Sequence, residues 1–309
     1  MLKIIKRKFR TLYNLIYNKP IGQIYMLHRV CLFEEGKISL NENMKVSPEF
    51  LEQFIAENLG KYDFLSLDQI SNSITKKQNP RRPFIAFTLD DGYFDNYQFA
   101  FPIFCKYNIP FTIYVTTGFV DRISLLWWYQ LEDIVMQNDL VTLSNGMHFN
   151  CETIQNKETS FLQIRKIILE LPSRDFDKSV RELFSNYALE LEKYSKELIL
   201  TWDQILQMSK DPLCTIAAHT VTHRRMSELS DEDLLVEISK SKNIIENKIK
   251  KEVIHFAYPF GTGFEVNEKA VDMVKKSGFQ TATFANGGVI RKQDRDLFRL
   301  TRIMLIEKK

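Results

Sequence analysis

Asp90 and Asp91 stand side by side just ahead of Gly92, and His219 and His223 stand four residues apart. Adjacent carboxylates at the end of an apolar run repel one another, and are costly to hold near a core unless a cation or a proton relieves them. Two imidazoles at this spacing face the same way if their segment makes a helical turn, so they can share one ion. One carboxylate added to both imidazoles gives an Asp/His/His set, three protein ligands with a position left open, as in catalytic rather than structural zinc sites. The second carboxylate then stands beside a water whose pKa the ion lowers toward ~7, and can take its proton while the ion polarises a carbonyl. A solvated helix face for the histidines and an ordinary Asp-Gly turn for the carboxylates are the plainer alternatives.

These residues must be positioned by the elements around them. Short β-rich runs alternate with longer helical patterns, which predicts an α/β fold with a predominantly parallel sheet or barrel and crossover helices. Strands are expected at Gln23–Leu27, Phe84–Leu89, Phe111–Thr116, Cys214–Ala217, Val253–Ala257, Thr281–Phe284 and Leu300–Leu305. Four of them end in polar groups: His28, Asp90-Asp91-Gly92, His219 through His223, and Tyr258-Pro259-Phe260-Gly261. In such folds ligands and catalysts gather outside the carboxyl ends of the strands. Ser47-Pro48 and Ser230 read as helix starts. The stretch from about 141 to 200 reads as an insertion, with a hairpin around Asn145-Gly146 followed by charged, leucine-rich helices.

Composition narrows the field further. The 309 residues, 44% hydrophobic and 26% charged, suit a folded globular chain and exclude extensive disorder. Cys31, Cys105, Cys151 and Cys214 have neither CxxC spacing nor the density of a disulfide scaffold. There is no Walker loop, no GxGxxG fingerprint and no Ser-His-Asp constellation, so nucleotide and serine-hydrolase chemistry lack support, and no nucleic-acid partner is indicated.

Phe87-Thr88-Leu89-Asp90-Asp91-Gly92 resembles the TFDDG motif of the polysaccharide deacetylases, the NodB-homology group or carbohydrate esterase family 4, and His219-Thr220-Val221-Thr222-His223 resembles their H-[ST]-x-x-H motif. Order and spacing agree, and the resemblance covers most of the chain outside the insertion. Tyr25-Met26-Leu27-His28-Arg29-Val30 further resembles the amino-terminal signature of a circularly permuted subgroup that includes poly-N-acetylglucosamine deacetylases.

The resemblance implies a distorted (β/α) barrel, here of about seven parallel strands, and metal-dependent removal of an acetyl group from an N-acetylated sugar; the lack of an internal repeat or a Pro/Gly/Ser-rich linker in the sequence predicts one domain over 21–309. It implies Asp90 as general base and Asp91, His219 and His223 as ligands of a divalent ion, zinc first among them. Tyr258, Pro259 and Phe260 resemble the motif that lines the groove and supplies an oxyanion amide, and Trp127 and Trp128 fall where the subgroup borders its groove with aromatics. Two positions depart from the pattern. The arginine that usually orients the base is replaced by Ala257, for which Arg302 is the candidate substitute. The carboxyl-terminal histidine that usually protonates the leaving amine is also missing, and His28 is the candidate acid.

Residues 1–20 interleave Leu2, Ile4, Ile5 and Phe9 with Lys3, Lys6, Arg7, Lys8 and Arg10, a pattern suited to an anionic membrane surface or to packing on the body of the protein. No run reaches the ~18 apolar residues of a membrane span, so a cytoplasmic chain is expected, with peripheral contact at the inner face of the membrane through residues 1–20. The expected substrate is an acetylated saccharide or lipid-linked glycan. A catalytically silent glycan-binding or scaffold barrel, and a deacetylase acting on an O-acetyl sugar or a small amide, stay open on the sequence alone.

Overall fold

The computed structural model describes residues 19–78, 80–172 and 174–308, so the basic segment 1–20 lies almost wholly outside the described residues. The main sheet runs through β1 (Pro20–Leu27), β2 (Phe84–Leu89), β3 (Phe111–Val115), β4 (Cys214–Ala218), β5 (His255–Ala257), β6 (Thr281–Phe284), β7 (Ile290–Arg291) and β8 (Leu300–Thr301). Their spatial order is β7-β1-β2-β3-β4-β5-β6-β8, eight strands where about seven were expected. The extra one is β7, the only antiparallel member of this path, which pairs with β1.

A further short strand, β9 (Ile303–Met304), pairs in parallel with β1, whereas β8 pairs in parallel with β6. The last run of chain therefore draws the two ends of the sheet together into a distorted barrel. The strand expected over Leu300–Leu305 is broken at Arg302, the residue at which the chain changes partner. The strand expected from Val253 starts only at His255.

All six residues of β2, FIAFTL, are buried, as a parallel strand covered on both faces requires. Alternation along the strands separates two apolar layers. Ile24, Ala86, Tyr114, Ala217 and Ala257 fill the barrel interior, while Phe87, Ile113, Ile216 and Phe256 pack under the surrounding helices. Helix α1 (Pro48–Asn58) opens with the Ser47 side chain accepting from the Phe50 amide, and α2 (Leu67–Thr75) adds Leu67, Ile70 and Ile74 to the inner layer. Asp68 of α2 sits 3.3 Å from His255 at the start of β5, so α2 closes the amino-terminal end of the barrel and leaves the carboxyl-terminal end for the site.

The stretch read as an insertion holds, among its described residues, a hairpin and three helices. Leu140–Thr142 and His148–Asn150 form an antiparallel hairpin whose turn contains Gly146 at φ +82. Helices α4 (Ile154–Leu169), Phe176–Leu183 and Lys193–Leu198 follow. Phe161, Ile164, Ile168, Val180 and Phe184 form a separate core against Trp127, Leu131 and Val135 of α3 (Trp127–Gln137). The insertion is thereby fixed to a helix that also borders the site. The four cysteines are free, and no helix of the described residues is long and apolar enough to cross a membrane.

Candidate metal centre and active-site cleft

Asp90 and Asp91 are aimed differently by the backbone that follows β2. The Asp90 amide donates to Leu27 of the neighbouring strand at 3.0 Å, continuing the sheet. Asp91 then turns left-handed at φ +70 and Gly92 at φ +81, a conformation aspartate and glycine tolerate better than other residues. The two carboxylates diverge as a result, and both are buried.

Arg302 takes hold of the first. Its Nη1 donates to Asp90 Oδ1 at 2.6 Å and its Nη2 to Oδ2 at 2.8 Å, while Nη1 also reaches Thr88 Oγ1 at 3.1 Å and Nε reaches the Phe284 carbonyl at 3.3 Å. Burial alone would raise the Asp90 pKa, but Arg302 first and then the neighbouring histidines overcome it and hold the carboxyl at about 2. The small side chain of Ala257 faces the same barrel interior.

Asp91 Oδ1 lies 3.6 Å from His219 Nε2 and 3.5 Å from His223 Nε2, and is buried without a hydrogen-bond partner. Burial and the charge of Asp90 push the Asp91 pKa well up, which a cation between the three groups would reverse. Ligands at ~2.0–2.1 Å around a tetrahedral ion stand roughly 3.4 Å apart, so these separations fit one ion. The donor set is nitrogen and oxygen only, and an orphaned buried oxygen sits at its centre. His219 Nδ1 meets the Ala257 carbonyl at 2.8 Å, which fixes that nitrogen as the protonated one and leaves the Nε2 lone pair facing Asp91.

The two histidines converge without the helical turn that would by itself have faced them the same way. Thr220 and His223 are both left-handed, at φ +65 and +56, and the segment is a loop. Glu237 holds it in that shape: its carboxylate accepts from the Val221 amide at 2.9 Å, the Thr222 amide at 2.8 Å and the Thr222 hydroxyl at 2.6 Å. From the other side the Gly118 amide donates to the Val221 carbonyl at 2.7 Å, an approach so close that a Cβ on Gly118 would fall 2.4 Å from that oxygen. Neither Glu237 nor Gly118 was singled out by the sequence, since the contacts join positions far apart in the chain. Burial lowers the pKa of both imidazoles and so favours the neutral, ligating form.

His28, at the end of β1, lines the same cleft. Its backbone is held by Asn96, whose side-chain amide donates to the His28 carbonyl at 2.9 Å, and by Asp95, which accepts from Val30 N at 2.8 Å and Arg29 Nε at 2.7 Å. The His28 Nδ1 is buried without a partner, and burial lowers the imidazole pKa to about 4 against the opposing pull of Asp90.

The cleft encloses about 330 Å³ and takes in Asp90, Asp91, His28, both loop histidines, Trp127 and Trp128. The Phe260 ring lies 4.8 Å from His223, and the Trp128 ring 5.9 Å from it on another side. Of the three residues expected at the oxyanion position, Pro259 has no N–H and does not line the cleft, and the Tyr258 amide is spent on the Thr283 carbonyl. Phe260, left-handed at φ +59, has an amide that makes no hydrogen bond among the described residues. It is the available donor.

A family model described as polysaccharide deacetylase matches residues 77–282. Among curated proteins, "Putative polysaccharide deacetylase YxkH" of Bacillus subtilis (strain 168) is 19% identical over 242 residues, covering 78% of this chain and 58% of that protein, so the chain spans little more than half of its length. Among solved structures, the Streptococcus pyogenes deacetylase PplD in complex with acetate superposes with a TM-score of 0.62 at 19% identity, covering 93% of this chain and 94% of that one. IcaB from Ammonifex degensii superposes at 0.59 with 14% identity, covering 93% and 92%. At these identities the superpositions speak to the fold.

Proposed function

The chain belongs to the polysaccharide deacetylase family, and on that premise we propose that it hydrolyses the acetamide of an N-acetylated sugar in a polysaccharide or lipid-linked glycan, using one divalent ion, zinc by preference. The observation that carries this reading is the pairing of an unpartnered Asp91 oxygen, within 3.5 and 3.6 Å of two imidazole nitrogens, with a neighbouring carboxylate kept ionised by Arg302. Asp91, His219 and His223 would hold the ion, which when bound polarises the acetyl carbonyl and acidifies a water.

Asp90 takes the proton from the attacking water as the new C–O bond forms. The Phe260 amide faces the carbonyl oxygen as it gains negative charge. His28 delivers a proton to the nitrogen as the C–N bond breaks, giving acetate and a free amine. Burial holds the resting imidazole neutral, so His28 must first take up the proton that the attacking water gives to Asp90; the imidazolium it then forms is a stronger acid than usual and passes that proton readily to the leaving nitrogen. Trp127 and Trp128 offer apolar faces to the sugar rings.

The test combines two readouts on purified protein. Elemental analysis after dialysis against dilute zinc should give about one ion per chain, lost in His219→Ala and Asp91→Ala, and acetate release from N-acetylglucosamine oligosaccharides should follow the ion. A chain that binds no specific ion and releases no acetate would overturn the proposal. The acid role has its own signature: His28→Ala should lose on the order of 10²-fold or more on an amide substrate but under about tenfold on 4-nitrophenyl acetate, whose leaving group needs no proton. Equal losses on both would remove His28 from that role.

A further inference from the structure

The insertion reaches the cleft at one charged point. Helix α4 contributes Arg165 and Leu169 to the lining, opposite Thr262 and Glu265 on the loop after β5. Arg165 is half-buried, yet among the described residues it makes no hydrogen bond and no ion pair. The other arginine at the site, Arg302, is fully committed to Asp90 and its neighbours. Glu265 faces Arg165 and attracts it, but stands beyond ion-pair distance and accepts instead from the Thr262 hydroxyl. Burial without a partner lowers the Arg165 pKa, the mark of a charge held where water serves it poorly.

A guanidinium offers five donors in a planar fork that matches carboxylate and phosphate oxygens, and leaving such a group in a partly dry cleft costs free energy that a bound anion recovers. Neutral sugar hydroxyls would fill the same fork less well, since only an anion adds the charge-assisted part of the interaction. We propose that Arg165 docks an acidic group, a carboxylate or phosphate carried on the saccharide, so that the substrate class is an anionic glycan and the insertion sets this preference. This rests on the deacetylase reading given above.

The experiment compares three soluble substrates: a neutral N-acetylglucosamine oligosaccharide, one in which N-acetylglucosamine alternates with glucuronate, and one bearing a phosphodiester. Acetate release and calorimetric binding are measured for wild type, Arg165→Gln and Arg165→Lys. The wild type should favour one anionic substrate over the neutral one in kcat/KM by at least about tenfold, falling as salt rises, and the acidic substrate that gains identifies the anion as carboxylate or phosphate. In Arg165→Gln that ratio should collapse toward one, with Arg165→Lys in between. A wild type with no anionic preference, or an Arg165→Gln variant that keeps the full ratio, overturns the proposal and leaves Arg165 as cleft wall or as a latch toward Glu265. No acetate from any substrate, alongside anion binding that disappears in Arg165→Gln, overturns the deacetylase reading and leaves the anion site standing. No acetate and no such binding overturns both.

Discussion

Asp90→Asn is expected to retain its metal while releasing acetate about 10²–10⁴ times more slowly. The asparagine keeps the size of the side chain but cannot accept a proton from the attacking water. The metal should be retained because Asp90 is not among its ligands: neutralising Asp90 takes one negative charge from beside the ion, and in part offsets this by removing a cause that pushes the Asp91 pKa up. The substitution does leave Arg302 buried beside a neutral partner, although the asparagine oxygen still accepts one of the bonds that Asp90 Oδ1 and Oδ2 take at 2.6 and 2.8 Å. Elemental analysis beside acetate release checks the claim, with circular dichroism to establish that the fold is intact. A folded Asp90→Asn variant within about tenfold of wild-type turnover would assign the base elsewhere, and parallel loss of metal and turnover would make Asp90 a ligand.

What the sequence made legible was local. The apolar run of β2 announces a fully buried parallel strand, and the polar residues after it announce the site, because one strand can be read without its neighbours. Ser47-Pro48 and Asn145-Gly146 likewise act over a few residues and fold as their chemistry dictates. The same locality left the shape of the segment from His219 to His223 open. A spacing of four fits a helical turn, but it fits equally a loop with Thr220 and His223 left-handed, and the choice between them is made by Glu237 and Gly118. At the expected oxyanion position Pro259 has no N–H to offer, and the motif cannot say which of the Tyr258 and Phe260 amides is free; that depends on the Tyr258 amide being consumed by Thr283. Arg165 was silent for the same reason, one arginine among many on a charged helix until the insertion folds back over the cleft.

Arg302 brings local and distant signals together, and its removal should have the second large effect. Arg302→Gln is expected to slow turnover by about 10²-fold or more and to move the acid limb of the kcat/KM profile upward in pH by at least about one unit. The side chain is fully buried, forked onto both oxygens of Asp90 and seated with its guanidinium carbon 5.3 Å from the centre of the Tyr114 ring. It opposes the burial that would otherwise protonate Asp90, so without it the carboxyl leaves its value of about 2 and rises toward or past the ordinary range. The sign for stability follows from a depressed carboxyl pKa. The pair's contribution is fully present above the unfolded value of ~3.9 and is lost as pH falls toward the folded value of about 2, so the wild type should resist acid better than Arg302→Gln. Breaking a buried pair from one side costs on the order of 3–5 kcal/mol, and Asp90→Asn combined with Arg302→Met should recover much of it, because no charge is then left unpaired. Arg302→Lys separates charge from geometry: a single ammonium keeps the carboxyl ionised but cannot fork onto both oxygens, so it should retain the acid limb while turnover still drops. If Arg302→Gln kept the wild-type acid limb, Arg302 would be a packing residue at the strand switch, and the base would owe its ionisation to the histidines beside it.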